Sequence, residues 1–193
     1  MSDAADDLVV ADATAWRAWL DQHEDISDGV WLRLAKKGTV DPTSLTYAQA
    51  LEEALCSGWI DGQKRSYDAT TFIERFTPRR SRSLWSERNI GLVTALAAEG
   101  RMRPRGRAEI DRAKADGRWD RAYPGAATAQ MPSDLEDALA ASAAASDGFA
   151  RLNAGNRYAV LHRLATAPNA ATRSKRLEKL IVMLERGESP HAQ

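Results

Sequence analysis

Two short runs rich in aromatic and β-branched residues, 59–67 and 71–77, meet around Asp68-Ala69, and they constrain the fold more than any other feature. Runs of that length on either side of a turn signal read as an antiparallel hairpin. Asp61-Gly62 is a second turn signal inside the first run, so a bulge is expected there, and Pro78 is expected to stop the second. Upstream, Val30, Leu32 and Leu34 alternate with Trp31, Arg33 and Lys37, the period of two of a half-buried strand. Three short strands near the start of the chain can build only a small antiparallel sheet, which needs helices to cover it.

Helical signals surround these strands. Trp16, Trp19 and Leu20 are spaced as one buried stripe of a helix over 13–22. Thr46 and Gln49 suit a capping box for a helix that Gly58 would end. Beyond Ser83 every periodic stretch reads as helix. The expected helices run over 85–99, from Pro104 to Gly117, from Ser133 (with Glu136 as its capping partner) to about Ala144, over 155–167, and from Asn169 to Gly187. The expected architecture is α+β: a small antiparallel sheet packed with helices over residues 1–130, then an all-helical subdomain over 131–193.

Formal net charge is zero, but the charges are segregated. Residues 1–30 hold eight acids against Arg17 alone, a net of −7, and residues 63–118 hold fourteen Lys and Arg against seven acids, a net of +7. A basic middle can draw in an anionic partner. Alternatively, the two regions neutralise each other in the fold. The sole cysteine, Cys56, excludes an internal disulfide framework. It falls at the end of a helix, where burial as a small hydrophobe is a better reading than a reactive thiol. His23, His162 and His191 lie far apart without ligand spacing, so no metal is expected, and no phosphate loop or nucleophile elbow is present. No cofactor is expected. No start resembling an export signal and no apolar run long enough to span a bilayer is found, so the cytoplasm is the expected compartment.

The chemistry is concentrated between Trp59 and Trp85. Arg75, Arg79, Arg80 and Arg82 precede a helix start with Ser83 and Ser86 beside it, the outline of an anion site of guanidinium forks and free backbone N–H groups. Trp59, Phe76 and Trp85 could stack a ring or fill a core. Asp61 could act as a general base, accept a ligand hydroxyl or hold an arginine. The expected site comprises Trp59, Asp61, Arg65, Arg75, Arg79, Arg80, Ser83, Trp85 and Asn89, binding a small anionic or aromatic ligand. An enzyme acting on a phosphate- or carboxylate-bearing substrate is the alternative. A third reading is nucleic-acid binding through the run Arg101, Arg103, Arg105, Arg107, Arg112 and Lys114.

With these residues in view, the sequence resembles the YdeI/OmpD-associated, or bacteriocin-protection, family. The resemblance rests on Glu53-Ala54-Leu55-Cys56, Trp59-Ile60-Asp61-Gly62, Arg75-Phe76-Thr77-Pro78-Arg79-Arg80, Ser83, Trp85-Ser86, Asn89, Gly100, Met102, Gly106, Ala113-Lys114, Gly117 and Trp119. Asn156-Arg157, the stretch from Thr172 to Arg176, Met183-Leu184 and Gly187 carry it to about residue 188. The resemblance implies protection against bacteriocins or cationic antimicrobial peptides and association with stress or the envelope. It brings no catalytic mechanism.

Overall fold

The computed structural model describes residues 7–191, and these form two compact units. The first holds the described residues up to Ser83 together with Asn89–Asp120, and the second holds Leu84–Arg88 and the residues from Arg121 onward.

In the first unit, helix α1 (Ala13–His23) starts where the Asp12 carboxylate accepts from the Ala15 N–H at 2.9 Å. Strand β1 (Val30–Ala35) follows, then α2 (Tyr47–Cys56), β2 (Trp59–Ser66) and β3 (Thr71–Pro78). The capping box at Thr46 and Gln49 is present as expected. Gly58 closes α2 at φ +71°, a conformation that a side chain would strain. The sheet order is β1-β3-β2, antiparallel throughout, with the expected bulge between Asp61 and Lys64. Pro78 is the last residue of β3, opposite Trp59 at the end of the ladder, where a missing N–H costs little. The segment at Leu8 runs parallel to β1, with the Leu8 N–H donating to the Trp31 carbonyl at 2.8 Å.

The register sorts the side chains. Leu32, Leu34, Phe72 and Phe76 share one face with Trp59 and Asp61, and this face packs under Trp16, Leu20, Ala50 and Ala54 of α1 and α2. Trp16, Trp19 and Trp59 meet edge-on and stacked in this core, and the Trp16 indole N–H donates to the Ala50 carbonyl at 3.1 Å. The opposite face carries Trp31, Arg33, Arg65, Ile73 and Arg75. Helix α3 (Glu87–Ala98) begins two residues later than the sequence suggests, and α4 (Pro104–Ala115) opens with Pro104 as expected. Gly106 of α4 lies so close to α2 that a Cβ there would overlap the Cys56 carbonyl.

The second unit contains α5 (Ser133–Ala140), α6 (Ala143–Arg151), α7 (Ala154–Ala165) and α8 (Ala170–Glu185) around Leu135, Val160, Leu164, Leu180 and Leu184. The alanine-rich stretch is not one helix. Ser142 adopts extended backbone angles and its hydroxyl accepts from the Ala145 N–H, which caps a separate α6. Ser133 is the first residue of α5 rather than its cap, because Pro132 supplies the cap position. Asn169 caps α8 as its position implies, accepting from the Thr172 N–H at 2.8 Å. The expected α+β class holds.

Candidate functional site

Four of the six cations in the basic run before and within α4 are turned to structural use. Arg101 donates to Glu52 at 2.8 Å and to Glu53 at 2.7 Å, and these carboxylates raise its pKa above the ordinary arginine value. Arg103 is buried, bonding Asp21 at 2.9 Å, Glu53 at 3.3 Å and the Ser57 hydroxyl. Arg105 pairs with Asp25 at 2.6 Å, and Arg112 with Glu109. Two of these acids, Asp21 and Asp25, belong to the acidic N-terminal region, so part of the segregated charge is neutralised in the fold. Arginines with their donors already taken offer little to a phosphate backbone.

Cys56 sits beside this network, buried at the end of α2. Burial, and then the negative charge of Glu53, pushes its thiol up to about 11. It is therefore protonated at neutral pH, the state of a packing residue rather than a nucleophile.

A pair of carboxylates lies on the core face of the sheet. Asp61 of β2 accepts from the Tyr47 hydroxyl of α2 at 2.7 Å, rather than from an arginine. Glu74 of β3 is only 5 % exposed, two residues from Phe76, which pairs with Asp61. Burial, and then the Asp61 charge, raises Glu74 to about 7, while Lys64 opposite it pulls the other way. Glu74 thus exchanges its proton near neutrality.

The outer face of the sheet has a different chemistry. Trp31 pairs with Arg75 across β1 and β3, and in the next row Arg33, Ile73 and Arg65 lie side by side. The Arg65 guanidinium lies 4.1 Å from the Trp31 ring centroid, and that of Arg33 lies 3.7 Å from the Tyr67 ring. Two diagonal cation–π pairs therefore flank Ile73. Arg33 is also held by a two-pronged bond to Asp7, at 2.6 and 2.9 Å. Among the described residues no carboxylate pairs with Arg65 or Arg75. α1 and α2 cover the other face of the sheet.

The remaining expected site residues are distributed elsewhere. Trp59 has no exposed surface, and its indole N–H donates to the Glu24 carbonyl at 3.3 Å. Arg79 is 4 % exposed, with its backbone N–H on the Gly58 carbonyl at 3.0 Å. Arg80 is exposed. Its backbone N–H donates to the Ser83 hydroxyl at 2.9 Å and its carbonyl accepts from the Ser83 N–H at 2.9 Å, so Ser83 serves a tight turn. Asn89 is buried at the start of the first unit's part of α3, and Trp85 is buried in the second unit. The first turn of α3 contains the chain's own acid, Glu87, whose N–H donates to the Tyr123 carbonyl at 3.0 Å. Of the nine residues, Arg65 and Arg75 share the outer face.

Trp31, Arg33 and Tyr67 were not among the expected residues. The period of two already placed Trp31 and Arg33 on one side of β1, but only the strand order brings Arg65 and Arg75 to that side. In the second unit, Tyr123, Tyr158, His162, Arg163 and His191 line an open groove of about 420 Å³. Burial, and then the Arg176 charge, holds His162 below the ordinary histidine value. Among the described residues, no group of His, Cys, Asp and Glu could hold a metal ion, and no helix is long and apolar enough to cross a membrane.

Residues 8–109 match the family model described as a domain of unknown function (DUF8412). Residues 128–187 match the model described as bacteriocin-protection, YdeI or OmpD-associated, which is the family the sequence resembles. The Trp59–Trp85 motif thus lies in the first match and the α5–α8 helices in the second. No curated protein and no solved structure matches.

Proposed function

Since the chain belongs to the DUF8412 family, which has no stated function, we propose from its own residues that it is a non-catalytic binding protein for an anionic or aromatic ligand held on the outer face of the sheet. One observation carries this reading: Arg65 and Arg75 lie beside Trp31 and Ile73 with no carboxylate partner among the described residues. An arginine stacked on a ring keeps its edge N–H groups for an anion, and the ring supplies flat apolar surface. The description of the C-terminal match supports a role related to protection against bacteriocins, and we propose stress or antimicrobial resistance as its setting.

A thermal-shift screen with nucleotides, phosphosugars and aromatic acids tests the binding. A ligand at a hundred times its dissociation constant adds about 2.7 kcal/mol to stability. The shift should vanish in Arg65→Glu. An equal shift in wild type and variant would remove the outer face from consideration.

The enzyme alternative draws on Glu74, Asp61 and Tyr47, a set able to exchange protons near pH 7. Against it stands the burial of Glu74 beneath α2. Turnover abolished by Glu74→Gln, with the fold retained, would favour the enzyme.

A further inference from the structure

We infer that the occupant of the outer face is single-stranded nucleic acid, with two or three nucleotides laid across β1, β3 and β2. The inference rests on the proposed binding role of that face and names its ligand class. Three features carry it, the first being flatness. The face is built from one row of side chains per strand position, and a flat surface cannot enclose the large share of a small molecule that tight binding needs. A polymer avoids this, because each contact holds the next one close.

The second feature is the spacing of the stacking groups. Trp31 is aligned with Arg75, while Tyr67 follows Ser66, which pairs with Phe72. Tyr67 therefore lies about four residues further along β3 and on the other outer strand. With strands about 4.8 Å apart and about 6.8 Å per two residues, the two rings stand roughly 16 Å apart on the diagonal. Aromatic groups on RNA-reading sheets stack two or three bases. Tyr67 is 50 % exposed, so it is open to a base.

The third feature is charge. Arg33, Arg65 and Arg75 line the path between the rings, and Asp7 on Arg33 is the acid paired with them among the described residues. A second copy of the chain would set these arginines against their equals. Double-stranded nucleic acid would reach the phosphate contacts but not the stacking, because its bases are already stacked.

The measurement is fluorescence anisotropy of the full chain with a labelled twelve-nucleotide oligo(dT) and oligo(U), beside a duplex of equal length and uridine monophosphate. Two free arginines imply a slope of about −1.4 in log affinity against log salt, or about sevenfold weaker binding from 50 to 200 mM. Arg75→Ala should halve that slope. Trp31→Ala and Tyr67→Ala should each weaken binding at least about fivefold. Asp7→Asn, which releases Arg33, should tighten it. An unchanged melting temperature for Tyr67→Ala, on the exposed rim, guards against a folding artefact.

Equal affinity for the oligomer and the mononucleotide would remove the polymer and leave the anionic-ligand reading intact. Binding of neither oligomer nor any small anion would remove both. Equal binding to the duplex, or to heparin, would overturn the inference in favour of unselective polyanion attraction. Binding indifferent to Trp31→Ala and Tyr67→Ala would place the oligomer elsewhere and overturn it too.

Discussion

Replacing Glu74 with glutamine should remove a pH dependence from the stability of the first unit. In the unfolded chain this carboxyl titrates near its ordinary 4.5, and in the fold near 7, because burial and then the Asp61 charge oppose ionisation. A raised carboxyl pKa means that the native state holds a proton the unfolded state has already released. Its contribution is therefore fully present below pH 4.5 and is lost as the pH rises through 7. At about 1.4 kcal/mol per pH unit, the loss amounts to about 3 kcal/mol across that window. Glutamine keeps the shape and stays neutral, so Glu74→Gln should match the wild type near pH 4.5 and exceed it by up to about 3 kcal/mol at pH 8. For a chain of this size that is about 6–12 °C in Tm. Urea unfolding followed by tryptophan fluorescence suits the measurement, since Trp16 and Trp59 lie in the same core. The difference between wild type and variant at each pH isolates Glu74, because His162, whose lowered pKa gives a pH dependence of opposite sign, is common to both. Asp68, lowered to about 2 chiefly by its bond from Thr71, acts below this window. Stabilities that stay parallel from pH 4.5 to 8 would refute the account of Glu74 as a carboxyl held neutral by its surroundings.

Three further outcomes follow from the packing. Arg103→Met should cost about 1.5–3 kcal/mol in chemical denaturation, because the buried Glu53 and Ser57 lose the hydrogen bonds of its guanidinium while Arg101 still answers the Glu53 charge. Gly106→Ala should lower Tm by several degrees, since its methyl group would overlap the Cys56 carbonyl and α2 and α4 must move apart. Cys56, with a thiol at about 11, should be about 0.1 % thiolate at pH 8. A disulfide reagent should therefore modify it only after denaturant is added, and rapid labelling of the native protein would contradict its burial.

Much of the fold was legible in the chain itself. The hairpin around Asp68, the bulge at Asp61-Gly62, the stripe of Trp16 and Leu20, and the caps at Thr46 and Asn169 are local features, fixed by side chains a few positions apart. The split between α5 and α6 escaped because alanine periodicity continues through Ser142, and only the extended backbone of that residue interrupts it. The matched family of residues 128–187 was also readable from its motif residues.

The grouping of the arginines was not readable, for a physical reason. A strand gives each residue two faces, and its order in the sheet decides which neighbours share them. Sequence alone determined that Arg65, Arg75, Arg79 and Arg80 are clustered along the chain and that Trp31 and Arg33 lie on one side of β1. Only the order β1-β3-β2 and the bulge set Arg65 and Arg75 beside Trp31, buried Arg79, and turned Asp61 and Glu74 toward the helices. Likewise, the number of charges in the acidic start and the basic middle is a property of the chain alone. The pairing of Asp7 with Arg33, Asp21 with Arg103 and Asp25 with Arg105 is tertiary, because charges 26 to 82 residues apart meet only when the chain has folded.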